Sequence, residues 1–126
     1  QYLLTTTTGA YWGALTSISS TSTMLTTKVA GTAYQNTSTR AILIMIEGSV
    51  SADNDSSGSL TFYLDSTSTL ANEVGLQSIS NGYTTGSGLG ATNTFILPPN
   101  WWFKVVAAFA GAGGGASISK WNEIPL

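Results

Sequence analysis

Apolar and polar residues alternate along much of this chain, which is the pattern of strands that place one face on a core. Between residues 59 and 65 the even positions Leu60, Phe62 and Leu64 are apolar, and between residues 101 and 109 every odd position is apolar. Segments rich in Thr, Val, Ile and aromatic residues predict seven strands near 24–30, 40–51, 59–65, 73–79, 93–97, 101–109 and 116–121. Short strands at this spacing predict an all-β fold, either an antiparallel β-sandwich or a jelly roll.

The predicted strand 40–51 differs from the others because it is apolar on both faces. Ile42, Ile44 and Ile46 fill one face, while Leu43 and Met45 fill the start of the other. A strand with two apolar faces needs a covering layer on each side, and a two-sheet sandwich provides only one. We therefore predict that Leu43 and Met45 lie at a subunit interface; the alternative is that residues 1–23 fold back over them. Charged residues make up only 8% of the chain, which also favours an assembled state.

The turn predicted at 98–100 (PPN) directs aromatic residues into the core. Proline holds the preceding residue extended, and Asn100 tolerates left-handed backbone geometry. We expect Trp101 and Phe103 to be buried after this turn, and Trp121 to hold the last strand in place. The aromatic residues left as candidates for exposed contacts are Trp102, Tyr63 and Tyr83.

The composition excludes several classes of function. Four Lys and Arg residues are too few to form the basic stripe that neutralises phosphates, so no nucleic-acid partner is expected. The lack of Cys and His removes disulfides, thiolate nucleophiles and the commonest general base and metal ligand. No apolar run is longer than the six residues of 41–46, far shorter than the about 20 residues of a membrane-spanning helix, so no membrane insertion is expected.

Two motifs suggest chemistry but lack the groups that this chemistry needs. Residues 111–116 match the dinucleotide-binding G-x-G-x-x-G/A pattern, yet a strand-like segment rather than a helix follows them. Asp53 and Asp55 offer oxygen ligands of the type that Ca²⁺ accepts, but a solvated turn is the favoured interpretation. The six carboxylates form no pair that the sequence marks as an acid and a base. We therefore expect no enzyme, no catalytic residues, no metal site and no cofactor.

Five segments, taken in order, carry a resemblance. They read TAYQNT at 32–37, RAILIMI at 40–46, LTFYLD at 60–65, TFILPPNWWFKV at 94–105 and ISKWNE at 118–123. This order resembles the C-terminal β-sandwich knobs of bacteriophage tail fibres and tail needles. The resemblance implies a homotrimer with a jelly roll of the tumour-necrosis-factor or C1q type, an extracellular place on the virion's tail, and contact with a bacterial surface. Residues 1–31 then form a Thr/Ser-rich lead-in or an extra strand before a knob domain at 32–126.

Strand parity predicts where a receptor would bind. If consecutive strands run in opposite senses, loops 52–58, 80–91 and 110–115 share one end of the sandwich, which we call the far end. Loops 66–72 and 98–100 and the chain terminus share the opposite, near end. The far-end residues that suit a polar ligand are Asp53, Asn54, Asp55, Asn81, Tyr83, Thr84 and Thr85.

The expected function is that of a non-enzymatic tip domain of a phage tail appendage. Its partners are two further copies of itself and a receptor on the host-cell surface, with a glycan as the expected receptor class. Two alternatives remain at this stage. One is a trimerising or capping knob that ends a fibre and binds nothing, and the other is an enzyme that trims surface polysaccharide.

Overall fold

A computed structural model describes residues 2–6, 9–13, 23–24, 28–81 and 87–126, with side chains for 28–80 and 88–126. These residues form strands and turns, and they contain no helix that could span a membrane. The strands are β1 (Tyr2–Thr6), β2 (Gly9–Gly13), β3 (Thr23–Met24), β4 (Tyr34–Gln35), β5 (Ile42–Ala52), β6 (Ser56–Asp65), β7 (Glu73–Asn81), β8 (Ser87–Leu97), β9 (Trp102–Ala110) and β10 (Gly115–Pro125). The prediction of an all-β fold is confirmed.

Two four-stranded antiparallel sheets contain strands β3 to β10. The first, which we call the β5 sheet, has the order β3-β10-β5-β8, and the second, the β6 sheet, has the order β4-β9-β6-β7. The pairing is nested, because β3 pairs with β10, β4 with β9, β5 with β8, and β6 with β7. The two sheets are compatible with a β-sandwich. Strands β1 and β2 form a separate two-stranded antiparallel ladder.

The prediction of a strand at 24–30 is wrong for most of the residues of this segment that the structure describes. Only Met24 lies in a strand; Lys28 and Val29 are irregular, a turn follows at 30–31, and residues 25–27 lie outside the described residues. Thr and Val favour strands locally, but here the chain passes from β3 in one sheet to β4 in the other. Gly31, with φ of 86°, makes the turn, and its N–H donates to the carbonyl of Val105 at 2.7 Å.

The predicted loop 80–91 is also shorter than expected. Strand β7 continues to Asn81, and β8 already begins at Ser87. Residues 87–91 (SGLGA) include two glycines and only one large side chain, which disfavours a strand by local propensity. They nevertheless pair with residues 52–48 of the long strand β5, so the ladder to β5 overrides the local preference.

The core lies between the inner faces of the two sheets and follows the alternation read from the sequence. Its buried members are Ile44, Ile46, Val50, Leu60, Phe62, Leu97, Phe103, Val105 and Trp121. Trp101 packs against this cluster while staying half-buried. Phe109 was predicted on the same apolar face of its strand, but it is 67% exposed. It lies opposite Gly58 in the ladder, and a glycine has no side chain to cover the ring.

Backbone atoms pack directly against Gly58 at the far end of the sandwich. A Cβ atom added there would lie 1.9 Å from the carbonyl oxygen of Gly115 and 2.8 Å from that of Ser51. Gly58→Ala therefore has to push β6 away from β5 and β10. We expect it to lower the free energy of unfolding by about 1–3 kcal/mol, the usual cost of overpacking, as measured by urea denaturation.

A matched control for this substitution lies on β8. A Cβ atom added at Gly88 would have the carbonyl oxygen of Val50 as its nearest neighbour, at 3.9 Å, which is ordinary contact. Gly88→Ala should therefore leave stability almost unchanged. If Gly58→Ala and Gly88→Ala unfold at the same urea concentration, the close backbone approach at Gly58 is not a constraint on this fold.

Candidate functional site

The far end of the sandwich gathers the strand ends that flank the predicted receptor loops. In the ladders, Ser56 lies opposite Asn81, Ala52 opposite Ser87, and Ser51 opposite Gly115. The ends of β5 and β7 and the starts of β6, β8 and β10 therefore lie together. This arrangement agrees with the prediction that loops 52–58, 80–91 and 110–115 share one end of the sandwich.

Residues 53–55 form a tight turn between β5 and β6. The N–H of Ser56 donates to the carbonyl of Asp53 at 3.0 Å, and the Ser56 hydroxyl donates to the same oxygen at 2.7 Å. The N–H of Asn54 donates to Oδ1 of Asp53 at 2.8 Å. Asp55 has φ of 55°, a left-handed conformation that Asp tolerates better than most residues. The turn is thus held by its own hydrogen bonds and presents Asn54 and Asp55 as exposed side chains.

The glycine-rich loop between β9 and β10 lies against this turn. A Cβ atom added at Gly113 would lie 2.2 Å from the Cβ of Asp53, and Gly113 has φ of 88°. Strand β10 begins at Gly115, so no helix follows the glycines and no helix N-terminus is available to hold a pyrophosphate. The interpretation of this segment as a β-turn loop is confirmed.

The predicted receptor-binding residues are described only in part. Asp53, Asn54 and Asp55 share the turn at the far end, and the backbone of Asn81 is beside Ser56 at the end of that turn. The side chain of Asn81 lies outside the described residues, and so do Tyr83, Thr84 and Thr85. Among the described residues no group of three or more acidic side chains could hold a metal ion.

The near end is organised by a buried amide that the sequence analysis did not single out. Asn36 is 2% exposed, and its Nδ2 donates to the carbonyls of Arg40 and Leu97 at 2.8 and 3.0 Å. Its Oδ1 accepts from the N–H and the hydroxyl of Ser38 at 3.0 and 2.6 Å. Both polar atoms are engaged within the protein, so Asn36 fixes the loop before β5 and is not a ligand group.

Asp65 organises the other near-end loop, between β6 and β7. Its Oδ1 accepts from the N–H of Thr67 at 3.3 Å, and its Oδ2 accepts from the N–H of Ala71 at 3.1 Å. Burial by itself raises the pKa of Asp65. Backbone N–H donors from the loop, those of Thr67 and Ala71 first, outweigh burial and hold the pKa below its ordinary value of 3.8.

This lowered pKa predicts a pH-dependent contribution of Asp65 to stability. The contribution is fully present above the ordinary pKa of 3.8 and is lost as the pH falls through the lower pKa of the folded state. We expect Asp65→Asn to be less stable than the wild type from pH 7 down to about 5, with the difference shrinking toward about pH 2. Urea denaturation across this range measures it, and a difference that stays constant to low pH would refute the prediction.

The outer face of the β5 sheet carries the predicted subunit interface. Leu43 and Met45 are half-buried there, on the side away from the core. Leu43 lies between Ile96 of β8 and Ile124 of β10 in the ladders, and Ile96 is 56% exposed. The near half of this face therefore carries four apolar side chains, although Met45 lies between Thr94 and Asn122. Whether residues 1–23 cover it falls outside the described side chains, and the interface stays a prediction.

The far half of the same face is polar. Lys120 Nζ lies 3.1 Å from Oε2 of Glu47, and the hydroxyls of Ser49 and Ser117 are 3.1 Å apart. In this half, polar side chains of β5 interact with polar side chains of β10 in the same chain. Among the described residues, the apolar half shows no comparable polar pairs, and it is the part of this face that the predicted interface involves.

A separate group of apolar side chains lies along one edge of the sandwich. Strands β7 and β8 are edge strands of their respective sheets, and they are close neighbours. Their exposed apolar residues, apart from Ile96 on the outer face of the β5 sheet, are Val74, Leu76 and Leu89. Three of the six large exposed apolar side chains among the described residues thus belong to this edge.

No protein-family model, curated protein or solved structure matches this chain. The case for a function therefore depends on the strand pairing, the two apolar surfaces and the polar loops of the chain itself.

Proposed function

We propose that this chain is the homotrimeric, non-enzymatic tip domain of a phage tail appendage, which attaches to a host-cell surface glycan through its far-end loops. The observation that carries this proposal is the nested strand pairing. The first of eight strands pairs with the last, the second with the seventh, the third with the sixth and the fourth with the fifth. A long antiparallel hairpin that folds over once produces this order, which is the order of a jelly roll. It supports the tumour-necrosis-factor or C1q type that the sequence resemblance implies.

The two apolar surfaces support a ring of subunits. One surface is the near half of the β5 sheet's outer face, and the other is the edge formed by β7 and β8. When two different surfaces of identical subunits meet, the contact is heterologous and repeats around the assembly until the ring closes. In this trimer the edge of each copy packs on the outer face of the next, where Leu43 and Met45 lie.

The direction of the first strand supports a distal receptor site. Strand β3 is antiparallel to β10, with Thr23 opposite Glu123, so β3 runs from the near end toward the far end. A shaft joined before β3 would approach the near end. The far-end loops would then point away from the shaft toward the host, on a rigid scaffold of the kind that commonly carries binding loops.

Adsorption to cells tests this proposal. The purified trimer, fluorescently labelled, is incubated with a panel of bacterial strains, and the strains that bind it are identified. We expect the double variant Asn81→Ala, Tyr83→Ala to bind those strains about tenfold more weakly, as the loss of a central contact residue commonly does. Its melting temperature should stay close to that of the wild type.

Near-end variants are the matched control for this experiment. The hydroxyls of Thr67 and Thr69 lie 2.7 Å apart in the near-end loop, and Thr67→Ala, Thr69→Ala should leave adsorption unchanged. Adsorption that survives the far-end change and is lost with the near-end change would reverse the proposed orientation. Release of reducing sugar ends from the bound cells' polysaccharide would contradict a non-enzymatic domain.

A further inference from the structure

The outer face of the β6 sheet presents aromatic rings beside a lysine. Phe103 and Val105 of β9 are buried, so Trp102 and Lys104 alternate to the outer face. Tyr63 of β6 lies opposite Lys104 in the ladder, and the Lys104 ammonium is 5.5 Å from the centre of the Tyr63 ring. All three outward side chains are half-buried, which leaves part of each ring accessible.

Lys104 differs from the other two lysines of the chain in its surroundings. Lys28 pairs with Glu123 at 3.4 Å, and Lys120 pairs with Glu47 at 3.1 Å. Lys104 forms no ion pair with any described carboxylate. Two carboxylates border this face. Asp65 lies across the ladder from Trp102, and its oxygens accept from backbone N–H groups of the loop that follows it. Glu73 lies across the ladder from Tyr63, on the side away from Lys104.

Polar groups that suit a polyhydroxylated ligand surround the rings. Gln35 of β4 is exposed and lies opposite Trp102 of β9. Its Nε2 donates to the carbonyl of Asn100 at 3.1 Å. That bond holds the amide and leaves its oxygen as an acceptor. Hydroxyl residues at outward positions of β6 and β7 continue the face: Ser57, Ser59, Thr61 and Ser78.

We propose that this face, made of Gln35, Tyr63, Trp102 and Lys104, binds an acidic saccharide. A pyranose ring lies on the indole of Trp102 and its carboxylate meets the Lys104 ammonium. Outward residues two apart on a strand are separated by about 7 Å, a distance that one sugar ring with its carboxylate spans. The charge complementarity of an unpaired ammonium selects an acidic sugar over a neutral one.

The proposed saccharide-binding face does not include the far-end loops. Its residues lie on the outer face of the β6 sheet, whereas Leu43 and Met45 lie on the outer face of the β5 sheet. The far-end site and this face can therefore bind or fail to bind separately, and one experiment distinguishes them.

Calorimetric titration of the trimer tests the proposal with a galacturonic acid oligomer and a galactose oligomer of the same length. We expect the acidic oligomer to bind more tightly and its affinity to fall with added salt. Lys104→Met should weaken that binding about tenfold, the scale of one hydrogen bond to a charged group, and should remove most of the salt dependence. Trp102→Thr, which keeps a strand-forming residue, should weaken both oligomers about tenfold through loss of the ring.

Two variants control for charge and for an exposed ring elsewhere. Lys120→Met makes the same charge change on the other sheet, and Phe109→Ala removes an exposed ring at the far end; both should bind the acidic oligomer as the wild type does. Loss of binding in Phe109→Ala or in the far-end double variant, with Lys104→Met unaffected, would overturn this face as the site and leave far-end attachment standing.

Three other outcomes would also overturn the proposal. The first is equal affinity for the acidic and the neutral oligomer, which would mean that Lys104 does not select charge. The second is equally tight binding of a polyglutamate peptide, which would mean that the face recognises charge and not a sugar. The third is no binding of either oligomer, which leaves the cell-adsorption experiment unaffected.

Discussion

Leu43→Asp is expected to convert the proposed trimer into monomers or aggregates. Leu43 lies between Ile96 and Ile124 on the apolar half of the β5 sheet's outer face. A carboxylate there is solvated in the monomer but is buried without a partner in the assembly, and removing such a charge from water costs several kcal/mol. The cost recurs at every contact of the ring. Light scattering after gel filtration measures the mass, and circular dichroism checks that the strands remain.

Two further substitutions make this result specific. Val106→Asp adds the same charge at an outward, half-buried position of β9, two strands away from β7, and it should leave the proposed trimer intact. Leu76→Asp changes a side chain that is 59% exposed on the β7 edge, and it should disrupt assembly because the proposed contact joins that edge to the other face. A folded trimer of Leu43→Asp, or dissociation by Val106→Asp alone, would place the interface elsewhere.

Trp121→Ala is expected to cause the largest loss of stability among single substitutions in the core. Trp121 is 1% exposed, and its ring packs edge-on against Tyr34 and Phe103, with 5.6 Å between ring centres in each pair. Its Nε1 donates to Oε1 of Glu123 at 3.0 Å, and Lys28 pairs with that carboxylate. The indole therefore ties β10 to β4, to β9 and to the segment before β4.

Removing a buried Trp costs about 3–5 kcal/mol, out of the about 5–15 kcal/mol that stabilises a typical domain. Urea denaturation measures the loss. Trp121→Phe keeps most of the ring contacts and should cost clearly less, while Trp102→Thr on an outer face should cost least. If Trp121→Ala proves no more destabilising than Trp102→Thr, the sandwich is not held together at Trp121.

Local features of this fold could be predicted from the sequence alone. Alternation in 59–65 and in 101–109 identified the inward side chains Leu60, Phe62, Phe103 and Val105, because side-chain direction in a strand is set by position along the strand. The PPN turn was predicted from the local backbone preferences of Pro and Asn, and Asn100 has the expected left-handed conformation, with φ of 66°. The shared end of loops 52–58, 80–91 and 110–115 followed from counting antiparallel strands.

The tertiary structure alone decided features that depend on residues distant in the chain. The two-residue strand β4 exists because β9 pairs with it, and residues 87–91 are a strand because β5 pairs with them. Phe109 is exposed near the end of β9, where its ladder neighbour on one side is Gly58 and the short strand β4 no longer pairs on the other. The candidate sugar face could not be assembled from the sequence either, since Tyr63 and Lys104 meet only through the pairing of β6 with β9. Alternation determines which way a side chain points, whereas the order of strands in a sheet determines what lies beside it, and that order is set by long-range packing.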